Sequence, residues 1–301
     1  MKSGFVAIVG RANVGKSTLM NALVGEKIAI VSDKPQTTRG RVVGIYNDEN
    51  AQIVFIDTPG IHQPKSKLGE HMVKAANDSV KDVDAVLLVA ECRKPGKTEI
   101  NICGRLKNMD VPVILVLNKV DITPKKDVAE AILEYSKVYD FASIVPISAK
   151  MNDGVQIVMD ELSKFIGEGD LFYPTDIATD MDMRTLTQEI IREKFLRCLY
   201  DEIPHGIAVE TVLFKDSETT KGEPISNITV NIICEREQHK GIIIGKGGET
   251  LKRAVSEARK DLEDMFGTKV FLQCFVKVRE GWRDNESLIR SYGLAGDNNG
   301  K

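Results

Sequence analysis

A chain of 301 residues is long for one hydrophobic core and comfortable for two domains. Its 42% hydrophobic and 28% charged content is that of an ordinary globular protein, which excludes disorder outside the last residues, "GDNNGK". A net charge of -3 excludes a globally basic surface, and apolar runs far below the ~20 residues of a membrane span exclude a spanning helix.

The opening "MKSGFVAIVG" reads as a strand and not as a secretory leader. Continuous apolar runs of strand length follow at "QIVFID", "DAVLLVA", "VPVILVLN" and "SIVPIS", with "VVGIYNDENAQIVFI" a hairpin turning at "NDEN". Helical patterns over 16–24, 69–80, 98–108, 127–139 and 155–166 separate them. Strands buried on both faces and alternating with helices predict an α/β domain with a mostly parallel, doubly wound sheet over residues 1–168. The aperiodic "LFYPTDIATDMDMRT", with one proline and three acids, predicts a linker over 169–183. Residues 184–301 follow a different order: helix "TLTQEIIREKFLRCLY", strands "GIAVETVLF" and "SNITVNIIC", a glycine loop with its helix, strand "KVFLQCFVKV", and a short helix near "DNESLIRSYG". Adjacent strands with helices to one side make this an α+β domain. The scattered Cys92, Cys103, Cys198, Cys234 and Cys274, without a C-x-x-C pair, read as buried apolar residues of a protein in a reducing cytoplasm.

Chemistry concentrates in two glycine-rich loops. Gly10-Arg11-Ala12-Asn13-Val14-Gly15-Lys16-Ser17-Thr18 fits G-x-x-x-x-G-K-[ST] between a strand and a helix. Backbone N–H groups of such a loop and the helix N-terminus hold phosphates, Lys16 reaches the terminal ones, and Ser17 offers a hydroxyl to Mg²⁺. Its companions occur in order at strand ends. In "DTPG", Asp57, Thr58, Pro59 and Gly60 offer a carboxylate to Mg²⁺ and a glycine N–H to a γ-phosphate. In "NKVD", Asn118, Lys119, Val120 and Asp121 end a strand, and Asp121 is a two-point acceptor for the N1–H and 2-amino group of guanine, a donor pair that adenine lacks. Ser148, Ala149 and Lys150, "SAK", add contacts to the guanine edge, and "KPQTTRGR" places Thr37 and Thr38 where a switch loop gives a threonine to Mg²⁺. Ligands of open α/β sheets bind at these carboxyl ends. Residues 5–166 therefore read as a P-loop GTPase domain for GTP/GDP and Mg²⁺, with Ser17, Asp57 and one threonine as metal ligands. Ile61 follows Gly60 where Ras-like proteins carry a water-orienting glutamine, which predicts slow intrinsic hydrolysis accelerated by a partner.

The second loop, "GIIIGKGGETLKRA", has no Walker spacing. Gly245-Lys246-Gly247-Gly248 instead fits the G-x-x-G of a KH module, which clamps the backbone of single-stranded nucleotides, with Lys252 and Arg253 on the following helix. The stripe Leu251, Ala254, Val255, Ala258, Leu262, Met265 on that helix is core. Between Arg236 and Asp284, eleven Lys/Arg stand against eight Asp/Glu, a local excess of +3 in an acidic chain. The order α-β-β-α-α-β is that of the prokaryotic type II KH fold.

"GRANVGKSTLMNALVG", "KPQTTR", "DTPGIH" and "NKVD", followed by "GIIIGKGGETLK" and "VREGWR", resemble the Era family of bacterial ribosome-assembly GTPases over essentially the whole chain. The resemblance implies binding to the 3′ end of small-subunit ribosomal RNA and a nearby hairpin, a role in small-subunit maturation, a monomer, and peripheral contact with the inner membrane. It favours Thr38 over Thr37 as the Mg²⁺ ligand. Related GTPases with a "TTR" switch imply that Asn13 helps hold a K⁺ ion beside the phosphates, so that Lys16, Asn13, Thr38 and Gly60 form the catalytic set. A tRNA-modification GTPase would carry a helical insertion and a C-terminal cysteine; an RNA chaperone with a vestigial GTPase would not keep Lys16, Ser17, Asp57 and Asp121; a membrane-signalling GTPase would need a lipidation motif.

Overall fold

The structure is a computed structural model that describes residues 1–32, 34, 37–59, 66–78, 82–200 and 203–294. Gly60, Ile61 and the tail "GDNNGK" lie outside the described residues. The chain divides into two compact units, Met1–Val31 with Thr38–Pro64 and Met72–Asp180, and Met181–Lys301 with Ser32–Thr37 and Lys65–His71.

The first unit holds a six-stranded sheet of β1 (Lys2–Gly10), β2 (Val42–Asn47), β3 (Ala51–Asp57), β4 (Ala85–Glu91), β5 (Val113–Asn118) and β6 (Ser143–Pro146), in the order β2-β3-β1-β4-β5-β6. Only the β2–β3 hairpin pairs antiparallel; the other pairings are parallel. The helices of this half of the chain are α1 (Lys16–Val24), α2 (Lys67–Asp78, whose start falls in the second unit), α3 (Lys97–Leu106), α4 (Lys125–Ser136) and α5 (Val155–Leu162). Every residue of β5 is buried, as its uninterrupted run of valine, isoleucine and leucine requires between two helical layers. Because the central strands run the same way, Gly10, Asp57, Glu91 and Asn118 end them at one edge of the sheet. Glu91 lies opposite Asn118 in register.

The stretch after α5 does not hang free. Gln52 on β3 is fully buried, and its side-chain oxygen accepts from the N–H groups of Phe172 (2.7 Å) and Tyr173 (3.0 Å) while its amide donates to the Tyr173 carbonyl (2.9 Å). Phe172 packs on Phe5 with ring centroids 4.4 Å apart. Ile45 N–H then donates to the Ala178 carbonyl at 2.8 Å and the Thr179 hydroxyl to the Val43 carbonyl at 2.7 Å. Residues 177–179 thus lie along β2, the edge strand, while Phe172 and Tyr173 are held by Gln52 of β3, and most of the segment expected as a linker is fastened to the first sheet.

The second unit carries α6 (Met183–Cys198), β7 (Ala208–Glu218), β8 (Pro224–Cys234), α7 (Glu237–Ile244), α8 (Glu249–Phe266), β9 (Lys269–Val278) and α9 (Glu286–Ser291). Its sheet order is β7-β8-β9, antiparallel then parallel, and its element order is the expected α-β-β-α-α-β. Ile190 and Phe195 from α6 and Ala254, Ala258 and Leu262 from α8 share one core with Ile228, Val230 and Ile232 of β8. In "VREGWR", Trp282 is fully buried, donates from its indole N–H to the Gly206 carbonyl at 3.0 Å, and meets Tyr292 edge-on. All five cysteines are free thiols, four buried and Cys274 half-buried; burial pushes Cys92 and Cys103 up to about 11 and Cys274 to about 12, so they stay protonated.

Candidate nucleotide pocket and nucleic-acid loop

β1 delivers the chain into the loop that begins α1. Asn13 (φ 64°) and Gly15 (φ 98°) turn the backbone through the left-handed region. Gly15 has a second constraint: a Cβ built there would stand 2.2 Å from the Asn118 side-chain nitrogen. Asn118, itself buried, ties the site together. Its amide donates to the Val14 carbonyl (2.9 Å), and its oxygen accepts from the N–H groups of Lys119 (2.8 Å) and Ala149 (3.0 Å). One side chain therefore joins the phosphate loop, "NKVD" and "SAK". Lys119, at φ 73°, adds a second tie through its ammonium, which donates to the Asn13 carbonyl at 2.8 Å. The Ser148 hydroxyl donates to Asp121 at 2.7 Å, leaving that exposed carboxylate oriented. Val120 N–H holds the Ile147 carbonyl, and Lys150 is exposed.

At the other end of the loop, Lys16 is buried and donates to the Arg11 carbonyl at 3.1 Å. α1 has no side-chain cap, so its first N–H groups are open to an anion. The Ser17 hydroxyl donates to Asp57 Oδ2 at 2.7 Å, the Thr38 hydroxyl to the same oxygen at 3.2 Å, and the two hydroxyls are 2.9 Å apart. The neighbouring Thr37 hydroxyl is engaged elsewhere, donating to the Lys34 carbonyl at 2.6 Å. Thr58 donates to the Ile8 carbonyl at 3.0 Å and fixes the turn into Pro59. Burial raises the Asp57 pKa, against the pull of Lys16 and the Ser17 and Thr38 hydroxyls; burial lowers that of Lys16, against Asp57. Both charges are short of solvation, and Asp57 Oδ1 is a buried oxygen without a hydrogen-bond partner. A cluster of hard oxygens with an orphaned carboxylate atom fits a small divalent cation.

The second loop is built differently. Gly245 caps α7, Lys246 and Gly247 are exposed, and Gly247 (φ 60°) and Gly248 (φ 80°) lead into α8, which has no side-chain cap. A Cβ at Gly247 would meet nothing within 4 Å. Lys252 and Arg253 are exposed on the first turns of α8, and Leu251, Ala254, Ala258, Leu262 and Met265 face the core.

The arrangement brings together Arg11 to Thr18, Thr38, Asp57 to Pro59, Asn118 to Asp121 and Ser148 to Lys150. Sequence patterning does not single out Glu91, Glu99 or Gln52, although Glu91 shares the strand-end position of Asn118.

A phosphate loop, a cation-ready oxygen cluster and a guanine-edge acceptor at the strand ends define a P-loop GTPase, here followed by a KH-type unit. Residues 5–119 match the family model for the 50S ribosome-binding GTPase and residues 202–283 that for the KH domain. The chain is 50% identical to GTPase Era of Clostridium botulinum strain Kyoto, over 97% of this chain and 98% of that protein. It is 45% identical to that of Ruminiclostridium cellulolyticum, over 99% of both. Two solved structures share the fold: Era in complex with MgGDPNP and nucleotides 1506–1542 of 16S ribosomal RNA (TM-score 0.93, 40% identity, 98% and 99% of the chains), and a single-residue variant of Aquifex aeolicus Era bound to GDP·AlF4⁻ (TM-score 0.92, 39% identity, 98% and 100%). The chain belongs to the GTPase Era family.

Proposed function

We propose that this protein is a GTP-hydrolysing switch that binds the 3′ region of small-subunit ribosomal RNA through its KH unit and assists small-subunit maturation. The observation that carries the reading is the meeting of Ser17, Thr38 and Asp57 beside buried Lys16, in a chain that also presents a G-x-x-G loop whose Gly247 and Gly248 face open space. A relative solved with both MgGDPNP and 16S RNA supports it.

The phosphate loop from Gly10 to Thr18 holds the phosphates, with Lys16 opposing their charge. Asp121, backed by Ser148, selects guanine, and Ala149 and Lys150 complete that edge. Ser17, Thr38 and Asp57 hold Mg²⁺, which when bound screens charge on the transferred phosphoryl group. By its place in "DTPG", Gly60 would offer its N–H to the γ-phosphate. Asn13, on its left-handed turn, would help hold a K⁺ ion beside the phosphates; hydrolysis in KCl several times faster than in NaCl is the expected result, and equal rates remove the ion from the reading. With Ile61 unable to orient a water, turnover is slow until RNA or the ribosomal subunit binds. Gly245 to Gly248, Lys246, Lys252 and Arg253 hold the RNA backbone, the glycines by close approach and the cations by charge. The protein works in the cytoplasm as a monomer with peripheral contact to the inner membrane; no described helix is long and apolar enough to cross one.

Binding linkage supplies the test. If RNA prefers the GTP state, GTP tightens RNA binding by the same factor by which RNA tightens GTP. Titrating the 16S 3′ fragment against protein loaded with GDP or a non-hydrolysable GTP analogue should give a severalfold difference, and equal affinities sink the switch.

A further inference from the structure

Glu91 ends β4, and its carboxylate gathers cations from two segments of the pocket. Oε1 accepts from the Lys119 ammonium of the base loop at 2.6 Å. Oε2 pairs with Arg11 of the phosphate loop at 3.3 Å and with Arg93 at 3.4 Å. Arg11 is held from behind by Glu99 (3.6 Å), a buried carboxylate whose other oxygen accepts from Gly96 N–H at 3.1 Å. Since Lys119 also reaches the Asn13 carbonyl, the contacts close a ring: phosphate loop, Glu91, base loop, phosphate loop.

We propose that Glu91 is a positioning residue for guanine-nucleotide retention, fastening the phosphate loop to the base loop and thereby setting how long GDP stays bound. The proposal rests on the nucleotide pocket read above. Asn118 already joins the same two loops at depth, so the fold does not depend on Glu91. The side chains of Glu91, Lys119 and Arg11 are 27%, 34% and 36% exposed, and water screens their attraction while the pocket is open. A nucleotide reaching from the phosphate loop to Asp121 runs between the segments that Glu91 joins. Displacing water there lowers the local dielectric and strengthens the ring in the occupied state. Without the carboxylate, Lys119, Arg11 and Arg93 repel one another between the two loops.

The test uses the full chain with Glu91→Gln, which keeps the shape and removes the charge. Stopped-flow release of fluorescent GDP should quicken about tenfold, the scale of one charge-assisted contact. KM for GTP should rise, while kcat at saturation and the melting temperature of the nucleotide-free protein stay near wild type. IDP, which lacks the 2-amino group read by Asp121, should be released faster by the same factor, because the effect runs through Lys119 and the loop tie. Adding Arg11→Ala to Glu91→Gln should bring no further acceleration, since both cut one ring. Glu91→Asp, charged but a methylene short, should fall between. Release at the wild-type rate, or a kcat that falls in step with kcat/KM, overturns the proposal. Wild-type protein that holds no GDP overturns the pocket reading and the proposal together, whereas tight wild-type binding with an unchanged variant overturns only the proposal.

Discussion

The two glycine loops look alike in sequence and answer to different neighbours. In the first, Gly15 is demanded by the protein itself, since Asn118 fills the space a side chain would need, and Lys16 is buried. In the second, Gly247 faces open space and Lys246 lies exposed. In one loop the glycine serves internal packing; in the other, Gly247 and Lys246 leave a bare surface beyond Gly245, which itself packs on Thr250. Under the proposed function these are opposite solutions for a small ligand that must be enclosed and a strand that must be admitted.

Substitutions can break that contrast. Gly15→Ala should act most strongly: its methyl displaces Asn118 and with it the hydrogen bonds to Val14, Lys119 and Ala149, and GDP affinity should fall about a hundredfold or more, the ~3 kcal/mol of several buried hydrogen bonds. Fluorescent-GDP titration checks this, with RNA binding by nucleotide-free protein unchanged. At Gly247, asparagine and aspartate both tolerate a left-handed backbone and differ by one charge. RNA affinity should be about tenfold weaker for Gly247→Asp than for Gly247→Asn if phosphate passes there, with equal melting temperatures and equal basal hydrolysis. Matching RNA affinities would mean that the bare surface serves some other purpose. The smallest effect sharpens the socket: Ser148→Ala removes one hydrogen bond to Asp121 and should weaken GDP about fivefold, in line with ~1 kcal/mol, while IDP weakens less.

What the sequence could show follows from how local each feature is. The apolar runs located the parallel strands because burial on both faces leaves no alternation to misread, and helix α1 fell where "GKST" begins it. α7 was legible only through the order of elements around it, since "GIII" alone is too short to distinguish helix from strand. α2 begins two residues earlier than its apolar pattern suggests, at Lys67. Thr37 and Thr38 are adjacent, and only the folded chain shows which hydroxyl meets Ser17 and Asp57. Asn118 was visible as part of "NKVD", yet its grip on Val14 and its claim on the space beside Gly15 join positions about a hundred residues apart. Glu91 and Gln52 are invisible for the same reason: their partners come from distant strands and turns, and no spacing rule encodes them.

Gln52 has one more effect. β2 is the outermost strand of its sheet, and an outermost strand with unspent N–H and carbonyl groups invites other chains to zip onto it. The strip from Phe172 to Thr179, pinned by that one amide, works as a hem: it takes up Ile45 N–H and the Val43 carbonyl before a stranger can. A polypeptide severed after Gly167 keeps every residue proposed to hold the nucleotide and loses its hem, so it should clump where one severed after Asp180 stays dispersed.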